Sequence, residues 1–214
     1  MKLINYKSLL LSLCVLIVLN SCVQNKPEAK EADKISDIKP KVAAQQSYAT
    51  VNNWLDDFKN FRTSVYQKDV AKMKTYFNFP VVADTTQIWV AVNDNLDETK
   101  RPQNYPATFT AKDLDKYHDK LFNEAFVKSI LKVKTQQLYQ NGEYTTPSIK
   151  YGDQKICMIA NYDKPTATLQ LSVTYSGSAA ENGDDVSESE SAIIYFFKVT
   201  DEKYLKFDKI LFAG

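Results

Sequence analysis

The sequence predicts an α+β domain in which helices come first and pack on one face of an antiparallel sheet. Three observations lead there. Apolar residues recur at spacings of three and four over most of residues 45–131, as one face of a helix requires. After Thr135 the chain turns to consecutive strand-like runs, of which Thr168–Tyr175 alternates with a period of two. Helical segments followed by strands, rather than alternating with them, indicate an α+β layering.

The chain opens with a segment that does not belong to the fold. Lys2 and Lys7 precede an 11-residue apolar run, Leu9–Leu19, closed by Asn20-Ser21-Cys22. This is the pattern of a secretory signal, and the run is short of the roughly 20 residues a spanning helix needs. Leu19-Asn20-Ser21-Cys22 resembles the bacterial lipobox, which implies cleavage before Cys22 and acylation of its thiol and new amine. Val23 follows, not the aspartate of the familiar inner-membrane retention signal, so by analogy the outer membrane is the expected address. Residues 22–44 carry interleaved lysines and acids, two prolines and few large apolar groups. Such a stretch buries too little surface to offset its ordering entropy, and is expected as a disordered tether. The organisation predicted is signal peptide 1–21, lipidated tether 22–44 and one domain 45–214.

Within the domain, Tyr48, Val51, Leu55, Phe58 and Val65 predict a long helix over Gln45–Gln67. Asp69 is placed to cap a shorter helix bearing Val70, Met73 and Phe77, which Pro80 terminates. Gln87–Val92 (QIWVAV) reads as a strand, and Asn93–Gln103 as a polar loop. Thr110-Ala111-Lys112-Asp113 is a capping box opening a helix that buries Leu114, Tyr117, Leu121 and Phe122. Phe126, Val127, Ile130 and Leu131 continue the helical block. Strands are predicted at Ile156–Tyr162, Thr168–Tyr175, Ala192–Val199 and Tyr204–Phe212, with a polar connection between the second and third.

Two stretches carry a resemblance. Residues 58–81 (FKNFRTSVYQKDVAKMKTYFNFPV) and 109–131 (FTAKDLDKYHDKLFNEAFVKSIL) are similar to helical blocks in exported bacterial domains of the nuclear-transport-factor-2-like superfamily. The resemblance implies a strongly curved antiparallel sheet wrapped round the first helix as a cone with a cavity. Its members include ketosteroid-isomerase-like and dehydratase-like enzymes as well as non-catalytic binding or dimerising domains, so fold alone does not assign an activity.

Composition narrows the chemistry. With 27 basic and 26 acidic residues in the chain, no net field is available to attract nucleic acid, and no such partner is expected. Once Cys14 leaves with the signal and Cys22 is acylated, Cys157 is the remaining thiol. It sits in an apolar strand, where a buried inert thiol is expected. A single histidine leaves no zinc spacing, and Glu181, Asp184, Asp185, Glu188 and Glu190 lack the order of a calcium loop. No metal or other cofactor is expected. The catalytic candidates are His118, on the third helix, and Asp84, each able to serve as an acid or base in a cone. Trp89, Tyr162, Tyr175 and Tyr195 are the candidates for an aromatic cavity mouth suited to a small apolar or carbohydrate ligand. The leading expectation is a non-catalytic, envelope-tethered domain that binds a small ligand or an envelope protein, and a homodimer is among the expected assemblies. The alternative is an isomerase- or dehydratase-like enzyme using His118 or Asp84.

Overall fold

A computed structural model describes residues 47–94, 96–177 and 190–214, all within one compact unit, Val42–Gly214. The signal, Cys22, the tether and the acidic residues Glu181, Asp184, Asp185 and Glu188 lie outside the described residues. The described chain is a mixed helix and sheet structure with a curved antiparallel sheet, an α+β fold. Among the described residues no helix is long and apolar enough to cross a membrane.

Helix α1 (Trp54–Gln67) starts nine residues later than the periodicity predicts, because Asn53 caps it and accepts from Leu55 N and Asp56 N. Residues 47–53 find another partner: the Ala49 amide and carbonyl both bond the Asn60 side chain at 2.8 Å. The helix ends at Lys68 in the left-handed region (φ 55°). Asp69 then caps α2 (Val70–Lys74) as expected, taking Lys72 N at 2.9 Å and the Tyr48 hydroxyl at 2.7 Å. A two-residue strand, β1 (Val81–Val82), pairs antiparallel with β2 (Thr108–Phe109).

The strand predicted at Gln87–Val92 is instead a helix, α3 (Ile88–Asn93). Its residue types favour strands, but Ile88, Trp89, Ala91 and Val92 are the buried ones. Those positions, i, i+1, i+3 and i+4, form one helical face. Helix α4 (Ala111–Leu121) opens on the predicted capping box, with Thr110 and Asp113 each bonding the other's backbone. Helix α5 (Glu124–Ile130) follows, capped by Asn123. A further helix, α6 (Thr135–Asn141), occupies the stretch where strands were expected to begin. Only Leu138 of it is buried, which left no apolar rhythm to read.

The main sheet has strands β3 (Glu143–Thr145), β4 (Ile149–Tyr151), β5 (Gln154–Asp163), β6 (Thr168–Gly177), β7 (Ser191–Thr200) and β8 (Tyr204–Ala213). The last four form an antiparallel meander, and β3 and β4 both pair with the other edge of β5. They amount to one edge strand interrupted at Thr146-Pro147-Ser148. Thr146 holds the break: its amide donates to Met158 O, and its hydroxyl accepts from Met158 N, both at 2.9 Å.

One face of the sheet carries the core. Ile156, Met158, Leu169, Leu171, Val173, Ile193, Tyr195, Phe197, Leu205, Phe207 and Ile210 alternate inward and are buried. Phe61 of α1 fills the space above them with edge-on contacts to Tyr76, Phe122, Phe126 and Phe197 at 4.9–6.4 Å. The face opposite carries Cys157, Ile159, Ile194, Phe196 and Leu211, all half-buried or exposed. The expected burial of Cys157 is therefore corrected: it points away from the core, its Sγ 3.0 Å from Thr174 Oγ1.

The outer edge of β8 is closed by the helical layer. The amides of Leu205, Phe207, Ile210 and Phe212 donate in turn to Asp57 Oδ2, Tyr76 O, Thr86 Oγ1 and Gln87 Oε1, at 2.6–2.9 Å. The step from Phe207 to Ile210 is three residues because the register with β7 shifts there. Asp57 makes this junction as a buried carboxylate, 3% exposed. Burial pushes its carboxyl above the usual range, against the lowering effect of the Leu205 amide.

Candidate functional site

Among the described residues, the core side of the sheet is not covered over its whole length. At the end where β6 and β7 leave the helices, a cleft of about 420 Å³ is lined by Asp94, Asn123, Tyr151, Gln154, Tyr175, Ser191, Ala192, Ile193 and Phe212. Strand alternation puts Tyr151, Gln154, Tyr175, Ile193 and Phe212 on this face, since Ile149 pairs with the inward Ile156 and Ile193 with Phe212. Asn123 is the N-cap of α5; its Oδ1 accepts from Phe126 N at 3.0 Å, and its side chain works to lower the pKa of the Tyr175 phenol. Burial raises the Tyr175 pKa, and Tyr151 and Asp94 add to the shift. A phenol that resists ionisation is a hydrogen-bond donor at neutral pH rather than a base. Ile193 and Phe212 supply apolar floor beneath these polar tips.

The sequence candidates are distributed over separate places. Tyr175 lines the cleft just described. Asp84 and Trp89 meet in a second groove of about 440 Å³, with Ala83, Thr86, Gln87, Val90, Tyr105, Pro106 and Ala107. His118 lines a third cleft, of about 320 Å³, between α1, α2, α4 and α5, whose apolar lining is Val65, Met73, Phe122 and Val127. Its Nδ1 is 3.2 Å from Asp115 O, and its Nε2 lies 3.6 Å from Asp119, which also pairs with Lys68 at 2.9 Å. His118 and Asp84 share no cleft, so no acid–base pair is assembled from them. Tyr162 lies against the buried Trp54, ring centroids 4.4 Å apart. Tyr195 is a core residue, 1% exposed, with its hydroxyl donated to Leu121 O at 2.8 Å. The four aromatic candidates therefore do not form one mouth. Among the described residues, no group of three or more His, Cys, Asp or Glu side chains could hold a metal ion.

Tyr105, Asn123, Tyr151 and Gln154 were not singled out from the sequence. Asn123 had a readable signal as a helix cap ahead of Glu124. The others depend on strand register and loop placement, which leave no local trace. No family model, curated protein or solved structure matches this chain.

Proposed function

We propose that this chain is an envelope-tethered lipoprotein whose domain is a nuclear-transport-factor-2-like cone, binding a small ligand without transforming it. The observation that carries the reading is the convergence of Tyr151, Tyr175, Asn123, Gln154 and Asp94 over the apolar Ile193 and Phe212 at the open end of the curved sheet. Small-molecule sites are concave, with a few convergent polar groups that fix the ligand's orientation, and here polar and apolar groups share the lining about evenly. The mixed lining suits a compact ligand with an apolar body and one or two hydrogen-bonding groups. The helices-first order and the curved sheet packed on α1 support the cone. The lipobox at Cys22 supports the tether. The isomerase- or dehydratase-like alternative places His118 or Asp84 in the cone cavity; neither residue lines the cleft at the end of the sheet.

The test is a ligand screen on the purified mature protein, read by thermal shift and then by calorimetry. A ligand that fits this cleft loses affinity in Tyr175→Ala and Asn123→Ala. Hits whose affinity ignores both changes would refute the assignment. Metabolic labelling with a fatty acid checks the tether: label is expected on the wild-type chain and absent from Cys22→Ala.

A further inference from the structure

We propose that the outer face of the sheet, the one turned away from the core, is a docking surface for a second copy of this chain, related to the first by a two-fold axis. None of the residues it uses lines the cleft at the end of the sheet, so it stands or falls separately from that reading.

The centre of this face is apolar. The register sets Ile159, Ser172, Ile194 and Leu211 side by side across β5, β6, β7 and β8, with Phe196 the next outward residue of β7. Ile159 is 39% exposed, and Ile194, Phe196 and Leu211 are only half-buried. Covering such a row removes apolar surface from water, which is the main driving term in association. On β6, the middle strand, Ser172 and Thr174 are short, so an opposing sheet can approach closely there.

The charges round this centre alternate in sign from corner to corner. At one end Lys150 and Lys155 pair across β4 and β5, while Glu190 leads into β7. At the other end Glu143 of β3 and Asp163 of β5 lie on one side. Lys198 of β7 and Lys209 of β8 lie on the other, with Lys206 in register with Lys198. Asp208 at the bulge reduces the charge of that last corner without reversing it. None of Lys150, Lys155, Glu143, Asp163, Lys198 and Lys209 forms an ion pair among the described residues.

A face whose corners run plus, minus, plus, minus is complementary to itself. A two-fold axis lying in the face, along the strands or across them, brings each corner over one of opposite sign. With the axis along β6, Lys209 comes over Glu143, Lys198 over Asp163, Lys155 over Glu190 and Ile194 over Ile159. A lipid surface or a partner of uniform charge would meet like charge at two of the corners, which disfavours it. Stacked sheets lie about 10 Å apart with strand directions within about 30°, and either axis permits that. Five strand positions at about 4.8 Å and the length of Lys155–Asp163 at about 3.4 Å per residue give a face of roughly 700 Å². Stable interfaces bury about 800 Å² per partner.

The experiment uses the mature chain with Cys22→Ala, so that acyl groups do not drive association, and follows its mass by sedimentation equilibrium across the micromolar range. A dimer is expected. Ile194→Asp should leave a monomer that circular dichroism shows to be folded. Glu143→Lys with Asp163→Lys should raise the dissociation constant about tenfold or more while leaving the apolar centre intact, so the test does not depend on how Ile194→Asp folds. Adding Lys198→Glu with Lys209→Glu should restore the dimer if the axis runs along the strands. Adding Lys150→Glu with Lys155→Glu should restore it if the axis runs across them, and restoration by neither would overturn the proposal. Cys157, the remaining thiol, lies on this face, and its alkylation should slow as concentration rises through the dissociation constant. A wild-type monomer throughout that range, or a dimer indifferent to both Ile194→Asp and the charge reversals, would also overturn it. So would a wild-type monomer that binds phosphatidylglycerol vesicles and loses them in Lys198→Glu with Lys209→Glu, which would make the face a lipid-facing one.

Discussion

Asp57 joins the first helix to the last strand, and its replacement tests how that joint is held. In Asp57→Ala the Leu205 amide loses its acceptor at 2.8 Å, while the Tyr76 hydroxyl keeps the backbone carbonyl of residue 57 at 3.3 Å. One buried donor is left without a partner, at about 1–3 kcal/mol. For a domain of this size that corresponds to a fall in Tm of roughly 2–12 °C. In Asp57→Asn a neutral amide oxygen can still accept from Leu205. The pH dependence separates the two roles of the group. Burial raises the folded-state pKa above the ordinary aspartate value of 3.8, so the folded state binds the proton more tightly than the unfolded state. This group's contribution to stability is full below 3.8 and declines as pH rises toward the folded value. Asp57→Asn should remove that decline and be at least as stable as the wild type at pH 7. Urea unfolding followed by circular dichroism between pH 3 and 8 reads both effects. If Asp57→Asn proves as unstable as Asp57→Ala across that range, the joint depends on charge and the reasoning here fails.

Three other outcomes are expected. Tyr195→Phe removes the hydroxyl donated to Leu121 O at 2.8 Å and should cost about 0.5–1.5 kcal/mol with little change in m-value on denaturation. Asp69 has its pKa lowered, chiefly by the Tyr48 hydroxyl and then by the Lys72 amide. Its contribution is present above the unfolded pKa and is lost as pH falls through the depressed folded value. In Tyr48→Phe the Asp69 carboxyl carbon, followed by NMR titration, should move its midpoint upward, and an unmoved midpoint would remove Tyr48 as the cause. Gly142 closes α6 with φ +76° and its amide on Leu138 O. Because that backbone is strained for a side chain, Gly142→Ala should destabilise by about 1–2 kcal/mol, although the nearest contact of the added methyl would be an ordinary 3.7 Å.

The legible parts of the fold were those with a long or chemically specific signal. Strands β5 to β8 each run ten residues; Thr168–Tyr175 carries clean period-two alternation, and Ile156–Tyr162 and Ala192–Val199 are apolar runs of strand length, signals that are hard to mistake. The Thr110–Asp113 box and the Asp69 cap were readable because a short polar side chain has few other uses at a helix start. Helix α3 departs from the strand expectation because six residues rich in strand-forming types fit either period. The start of α1 is not legible because Tyr48 and Val51 keep the helical spacing, while the Ala49 backbone bonds the Asn60 side chain. Site chemistry was legible only residue by residue. Trp89 and Asp84 stood out as types, but Tyr105 reaches them from a loop, and no spacing rule anticipates that. Tyr195 stood out equally and proved to be core, because a buried tyrosine whose hydroxyl finds a carbonyl looks the same in sequence as one that lines a cavity.

The closed edge of β8 limits how copies of this domain could associate. Sheets that grow by adding strand to strand need two open edges, one to receive and one to offer. Here the outward amides of Leu205, Phe207, Ile210 and Phe212 are already spent on Asp57, Tyr76, Thr86 and Gln87. On the far side, Pro147 breaks the β3–β4 edge and has no amide hydrogen to give. Any edge-to-edge joining through that remaining side would end at a pair, because the outer margin of each copy is β8. Open-ended fibres by this route have no second valence to grow from.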